Sequence, residues 1–159
     1  MKPVADWLGD ADRIAELGRR LRDASIPADR LALFRRTLHP EILGRATAWA
    51  PGRPVEIFDC GHGIDLSVRF AGSPLDEAMA DGKPRHVAGQ DIDRSAWRWA
   101  EPFRGLGLAA LLLRPLSAMS ALAIATRRVN GFGDKDLVLL DRLIGDLDGV
   151  RRRKKPSPQ

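Results

Sequence analysis

Apolar residues recur at every third or fourth position in two long segments, one near each end of the chain. In residues 4–24 these positions are Val4, Leu8, Ala11, Ile14, Leu17, Leu21 and Ala24, and in residues 134–153 they are Leu137, Leu140, Ile144 and Leu147. This spacing places the apolar side chains on one stripe of an α-helix. The pattern therefore predicts an amphipathic helix at each end, the first stopped by Pro27 and the second begun by Asp134 as its N-cap.

Between the two helices, shorter apolar segments with partial alternation predict five β-strands. They cover residues 30–38, 41–50, 55–59, 108–116 and 121–127. His39-Pro40 separates the first two strands and is short enough for a hairpin turn. The alternation in those two strands is imperfect, so a helical interpretation of this stretch stays open.

The segment from about 64 to 105 is the least regular part of the chain. Ser73 as N-cap, followed by Pro74 and acidic residues, predicts a short helix to about Asp81 that Gly82 ends. Residues 97–103 predict a further helical turn or two. The order of elements predicts an α/β fold with a central, mostly antiparallel sheet of five or six strands. The terminal helices would cover one face of the sheet and the irregular helical crossover the other.

Composition and charge indicate a globular domain without a nucleic-acid-binding face. Of the 159 residues, 44% are hydrophobic and 30% are charged, close to the averages of globular proteins. The net charge of +5 equals the five basic residues of the run 151–155, which leaves 21 basic and 21 acidic residues elsewhere. Because nucleic-acid-binding domains carry positive charge on a folded face, no nucleic-acid partner is predicted. We expect residues 1–150 to form one domain and residues 151–159 a basic disordered tail.

The cysteine content and the lengths of the apolar segments predict the same cellular compartment. Cys60 is the single cysteine, so no intramolecular disulfide can form, which fits a reducing environment. The N-terminus has no apolar run of signal-peptide length. The longest apolar stretch, residues 106–113, is far shorter than the roughly 20 residues that a membrane helix needs. The sequence therefore predicts a cytoplasmic protein without a membrane span.

Cys60 and His62 form the most reactive-looking pair in the sequence. Two residues apart, they could share a metal ion, or the imidazole could activate the thiol. A structural zinc site needs four ligands, however, and only His39 and His86 remain as further histidines. The sequence therefore predicts neither a metal site nor a catalytic site, and it names no cofactor.

Two sets of residues resemble known proteins. The order of elements, together with residues 132–143 (FGDKDLVLLDRL), resembles the last strand-to-helix junction of GAF domains, which are small-molecule-binding and chromophore-binding regulatory modules. Residues 4–8 and 36–45, with Trp49, His62-Gly63 and Ser73-Pro74, resemble the N-terminal sensory region of certain bacterial class III adenylate cyclases. The resemblance implies a regulatory input domain of signal transduction. It implies no cyclase activity, because the residues that perform catalysis in that family are not in this sequence.

The GAF resemblance implies a ligand pocket between the sheet and the crossover. Aromatic side chains there could line an apolar site, with Arg69 or Arg98 meeting an anionic group. The candidate ligand-binding residues are Trp97, Trp99, Phe103, Arg69, Cys60, His62 and Trp49. The alternative is that the aromatic residues of the crossover simply complete the core and fill the space that a ligand would need.

The terminal helices carry the candidate partner surface. Their apolar stripes approximate a heptad-like seam, and the residues expected at the interface are Leu8, Leu137, Leu140, Ile144 and Leu147. GAF-like modules often dimerise by bundling these helices, so we expect a homodimer. The alternative is that each stripe is used entirely to cover its own sheet. Two functions follow from these alternatives: a sensory module that binds a small molecule, or a ligand-free dimerisation and interaction module.

Overall fold

A computed structural model describes residues 4–36, 42–61, 72–95, 97–117 and 119–153. Its elements are, in chain order, α1 (Val4–Asp23), β1 (Arg30–Arg36), β2 (Ile42–Trp49), β3 (Glu56–Gly61), α2 (Pro74–Asp81), β4 (Arg85–Ala88), α3 (Gly89–Arg94), a 3₁₀ helix (Arg98–Phe103), β5 (Ala110–Ser117), β6 (Ser120–Thr126) and α4 (Asp134–Arg153). The five predicted strands and three predicted helices are confirmed, with ends within about two residues of those expected. The short elements β4 and α3 were not predicted individually.

The strands form one six-stranded sheet in the order β3-β2-β1-β6-β5-β4. Every pairing between the described strands is antiparallel. The first two strands pair from Leu31 opposite Trp49 to Arg36 opposite Gly44, so they form a hairpin and the helical interpretation is wrong. The expected turn at His39-Pro40 lies outside the described residues. The fold class predicted from the sequence is therefore confirmed, with six strands in the sheet.

One face of the sheet is covered by α1 and α4, which we call the helix layer. Their buried residues pack against the residues of β1, β2, β5 and β6 that face this layer. Together these buried residues are Ile14, Leu17, Leu21, Leu31, Leu33, Trp49, Leu112, Leu122, Ile124, Leu140 and Ile144. Trp49 contributes the largest side chain of this core. Its indole lies so close to Gly18 that a Cβ on that glycine would overlap the ring, which explains why α1 carries no side chain at this position.

The other face is covered by α2, α3 and the 3₁₀ helix, which we call the crossover layer. The three central strands present six alanines to it: Ala32, Ala46, Ala48, Ala121, Ala123 and Ala125. Large side chains fill the shallow space above them, namely Leu75, Met79, Ile92, Trp99 and Phe103. Large side chains on the helices thus pack against small residues on the sheet, as layers that interdigitate require. Both faces of the sheet are therefore covered as the sequence predicted. None of the described helices has the length and apolar character needed to cross a membrane.

A buried ion pair joins α1 to the sheet. The Nη2 of Arg35 donates to the Oδ1 of Asp10 at 2.7 Å, and its Nε donates to the other carboxylate oxygen. The Asp10 side chain is only 3% exposed and that of Arg35 only 13%. A bidentate contact of this kind fixes both side chains and compensates two charges that burial would otherwise destabilise.

Side chains near the start of α2 and of α4 accept the backbone N–H groups that helix starts leave free. In α2 the Oγ of Ser73 accepts the backbone N–H of Asp76 at 3.3 Å, which confirms Ser73 as the N-cap. In α4 the prediction of Asp134 as N-cap is wrong. The first helical hydrogen bond runs from the Leu137 N–H to the Gly133 carbonyl at 3.1 Å, so Gly133 occupies the cap and Asp134 the first helical position. The Oδ2 of Asp136 accepts the Gly133 N–H at 2.9 Å, which is the acidic half of a capping box.

We expect Asp136→Ala to lower the free energy of unfolding by about 0.5–2 kcal/mol at neutral pH, because it removes the acceptor of the Gly133 N–H and the partner of Arg128. Partial burial raises the pKa of Asp136, but the Gly133 N–H and the Arg128 guanidinium lower it more, so the net pKa lies below the ordinary carboxyl value. The stabilisation is therefore complete above the unfolded-state pKa of about 4 and is lost as the pH falls through the lower folded-state pKa.

Urea titrations of Asp136→Ala and the unaltered protein between pH 7 and pH 3 check this expectation. The difference between the two proteins should shrink at the acid end. Asp134→Ala is the matched control, because Asp134 lies in the same turn but accepts no hydrogen bond from the described residues. A difference that stays constant over this pH range would contradict the assignment.

Candidate functional site

The 3₁₀ helix separates the core of the crossover layer from an open cleft. On the core side, Trp99 is 4% exposed and Phe103 is fully buried. Trp99 meets Phe34 edge-on at 5.9 Å between ring centroids, and its Nε1 donates to the buried Oγ of Ser73 at 3.2 Å. Trp97 is half-buried and stacks on Trp99 at 5.3 Å. Trp99 and Phe103 thus occupy the space above the alanines where the sequence predicted either a pocket or a filled core.

The other predicted site residues are not gathered around these aromatics. Trp49 lies on the opposite face of the sheet, in the helix layer, so it does not share a site with Trp97, Trp99 and Phe103. It points there because its position on β2 faces away from that of Ala48. Cys60 lies on the edge strand β3 opposite Gly44, and its side chain lies outside the described residues. His62 and Arg69 also lie outside them, as does the side chain of Arg98.

The predicted interface residues divide in a similar way. Leu140 and Ile144 are 1% and 4% exposed and pack on their own sheet, and Leu137 is half-buried against the same core. The side chains of Leu8 and Leu147 lie outside the described residues. Within the described part of α4, Leu140 and Ile144 are thus used to cover the sheet, while Val138 is 60% exposed on the outer side. Among the described residues no group of three His, Cys, Asp or Glu side chains is arranged to hold a metal ion.

The open cleft lies where β1 begins and β6 ends, at the rim of the crossover layer. This half-open cleft has a volume of about 530 Å³, within the range of sites for small molecules. Apolar walls come from Phe58, Pro102 and Leu106. The charged residues that line it are five arginines, Arg22, Arg30, Arg53, Arg104 and Arg127, and three acids, Asp29, Glu56 and Glu101. We call it the arginine cleft.

Arg30 is the anchored arginine of the cleft. It lies on the same face of β1 as Ala32, so its side chain points toward the crossover layer. Only 7% of that charged side chain is exposed. Its Nε donates to the Pro102 carbonyl at 2.9 Å and its Nη2 to the Oε1 of Glu56 at 3.3 Å. These contacts connect the start of β1, the 3₁₀ helix and β3, so they hold three walls of the cleft in place.

Arg104 is incompletely paired. Its Nη2 donates to the Trp97 carbonyl, but its buried Nε has no hydrogen-bond partner among the described residues. A buried donor left without an acceptor costs about 1–3 kcal/mol, and more when the group is charged. Arg104 follows Phe103 directly, so this unsatisfied donor lies next in the chain to a fully buried aromatic residue of the core.

Arg127 and Asp29 close the rim on the side of β6. The backbone N–H of Arg127 donates to the Oδ2 of Asp29 at 2.7 Å, and the Arg127 Nε donates to the Leu106 carbonyl at 2.8 Å. The two charges are 3.8 Å apart at their nearest atoms. This contact ties the turn before β1 to the end of β6 and to the loop after the 3₁₀ helix.

The sequence did not indicate the arginine cleft. Its charged residues come from α1, the α1–β1 link, β1, the β2–β3 turn, β3, the crossover and the residue after β6. Each one alone resembles an ordinary solvated side chain. The available signal was Arg30, which shares a face with Ala32 and Phe34 in a strand whose other residues are mostly apolar. A charge at such a position is unusual unless it is paired.

Comparison with solved structures identifies the fold of this chain. No protein-family model matches the chain, and no curated protein matches it. Among solved structures, the GAF domain of a two-component sensor histidine kinase from Bacillus halodurans superposes with a TM-score of 0.57 at 14% identity, covering 83% of this chain and 86% of that one. NpR6012g4, a red/green cyanobacteriochrome in its red-light-absorbing state, superposes with a TM-score of 0.53 at 15% identity, covering 92% and 99%. The chain therefore has the GAF fold, as the sequence resemblance implied.

Proposed function

We propose that this chain is a regulatory, sensory module of bacterial signal transduction that binds a small molecule in the arginine cleft and catalyses no reaction itself. The cleft is the observation that carries the proposal, because a small-molecule sensor needs a concave site with a few fixed polar groups and apolar walls. The two similar structures, one from a sensor histidine kinase and one a cyanobacteriochrome, support a signalling role for the fold.

The narrower resemblance of the sequence fits the same role. Residues that resemble the sensory region of class III adenylate cyclases, such as 36–45 and Trp49, would belong to an input domain that acts on a separate effector. A cytoplasmic location and a homodimer formed through the terminal helices are part of this proposal. The exposed Val138 on α4 supports a helix-mediated dimer, since burial of its apolar surface against a second copy would lower the free energy of the pair.

A panel of nucleotides, flavin, haem and common metabolites tests ligand binding by thermal unfolding. A compound present at 100 times its dissociation constant should stabilise the protein by about 2.7 kcal/mol. Backbone amide NMR then locates the compound, and we expect the shifts to concentrate at Asp29, Arg53 and Arg104. A panel that raises no melting temperature, or a binder whose shifts avoid the cleft, would contradict the proposal.

The second candidate is a ligand-free dimerisation module, and one observation favours it. Trp99 and Phe103 already fill the space between the sheet and the crossover layer, where the sequence resemblance placed a ligand. Sedimentation equilibrium distinguishes the two functions when it is combined with the panel. A dimer whose melting temperature responds to no compound would support this second function over the first.

A further inference from the structure

We infer that the arginine cleft selects a small anion with two or more negative charges, carried on phosphate or carboxylate groups. This inference rests on the proposed function and names the chemistry of its ligand. Its first basis is the charge of the lining, five guanidinium groups against three carboxylates. An arginine remains charged at any physiological pH, so this excess is permanent.

The pairing within the cleft leaves the excess charge available. Glu56 is engaged by Arg30 and Asp29 by Arg127, so two of the carboxylates are already compensated. Among the described residues, Arg22, Arg53 and Arg104 have no ion-pair partner, and the remaining acid, Glu101, is exposed at the rim. A ligand with two negative charges would leave the paired contacts in place and neutralise the surplus.

The geometry supplies a fixed point for such a ligand. The Arg30 side chain is held by the Pro102 carbonyl and Glu56, so it loses little freedom when a ligand arrives. Arg104 lines the cleft as well, and no described residue accepts a hydrogen bond from its buried Nε. Phosphate and carboxylate groups suit a guanidinium best, because two of their oxygens can accept two parallel hydrogen bonds from it. A neutral ligand would leave the surplus charge unpaired, and a cation would add to it.

Titration with inorganic pyrophosphate, citrate and spermidine at constant ionic strength tests the inference, followed by backbone and arginine side-chain NMR. We expect pyrophosphate or citrate to shift the signals of Arg53 and Arg104, and we expect spermidine to leave them unchanged. Raising the salt concentration should weaken binding of the anion, since exposed charges are screened. Both phosphate and carboxylate probes are needed because either group fits the same guanidinium chemistry.

Two substitutions test whether Arg104 and Arg53 bind the anion. Arg104→Gln should weaken binding of the effective anion at least about tenfold, a loss of about 1.4 kcal/mol. Because this side chain is partly buried, Arg53→Gln provides a second variant at an exposed position, where folding is not at risk, and should also weaken binding. Arg142→Gln is the matched control, since Arg142 is exposed on α4 and outside the cleft. Equal loss in Arg142→Gln would mean general charge attraction and would overturn the inference.

The outcomes separate this inference from the proposed function. If neither anion shifts the cleft signals while an uncharged or cationic compound from the panel does, the cleft is a ligand site and its selectivity for anions is wrong. If no compound of any charge shifts those signals, the proposed ligand site and the inference both fail.

Discussion

Trp99→Ala is expected to lower the free energy of unfolding by about 3–5 kcal/mol, the range for removing a large aromatic side chain from a core. The indole is 4% exposed and packs against the ring of Phe34. Beneath it the sheet presents alanines such as Ala32 and Ala123, which cannot extend to fill the space. The substitution also leaves the Oγ of Ser73 without the indole N–H.

Urea unfolding at neutral pH measures this loss, and the result distinguishes a filled core from a ligand pocket. Trp97→Ala is the matched control, because Trp97 is only half-buried and its stack on Trp99 contributes about 0.5–1.5 kcal/mol beyond area burial. If Trp99→Ala costs less than about 1 kcal/mol and instead abolishes binding of a compound from the panel, Trp99 lines a pocket. The space above the alanines would then be the binding site.

Asp10→Ala is expected to lower the free energy of unfolding by a similar amount, about 3–5 kcal/mol, for an electrostatic reason. The substitution removes the partner of Arg35, whose side chain is only 13% exposed. The guanidinium would then be a nearly buried charge without its carboxylate, and burial of an unpaired charge is far costlier than loss of a surface contact.

Chemical denaturation of two further variants checks whether the unpaired charge of Arg35 causes the loss of stability. Glu16→Ala on the same helix removes an acid paired with the more exposed Arg19 and Arg20, so it should cost no more than about 1 kcal/mol. The double substitution Asp10→Leu with Arg35→Met removes both charges and should recover most of the loss. If the double variant is as unstable as Asp10→Ala, lost packing rather than an unpaired charge is the cause.

The elements with a long or clearly marked pattern could be predicted from the sequence. The 20-residue helices α1 and α4 repeat their apolar stripe over several turns, and Ser73 with Gly82 brackets α2 on both sides. The four-residue strand β4 and the six-residue α3 are too short to show a period. β4 exists because it pairs with β5, from Arg85 opposite Leu113 to Ala88 opposite Ala110, and such a partner is not visible in a local pattern.

The candidate site was harder to predict than the fold, for a physical reason. Whether Trp99 lines a pocket or fills a core depends on the volume that faces it, and both roles need the same residue type. The alternation of alanines on β1, β2 and β6 indicates a shallow sheet surface, but only the structure shows what lies on it. Placement of the arginines around one cleft requires tertiary contacts between distant segments, such as that of Arg30 with Pro102, 72 positions apart.

The connection between α1 and β1 has a consequence for how a bound molecule would be sensed. Arg22 in the last turn of α1 and Arg30 at the start of β1 both line the cleft, and only residues 23–29 separate them. The Ile26 N–H donates to the Leu21 carbonyl at 2.9 Å, and the Asp29 N–H donates to the Ala125 carbonyl at 2.9 Å, so this link is tied at both ends. A displacement of Arg30 would therefore be transmitted to the end of α1 through this short link, and to the 3₁₀ helix through the Pro102 carbonyl.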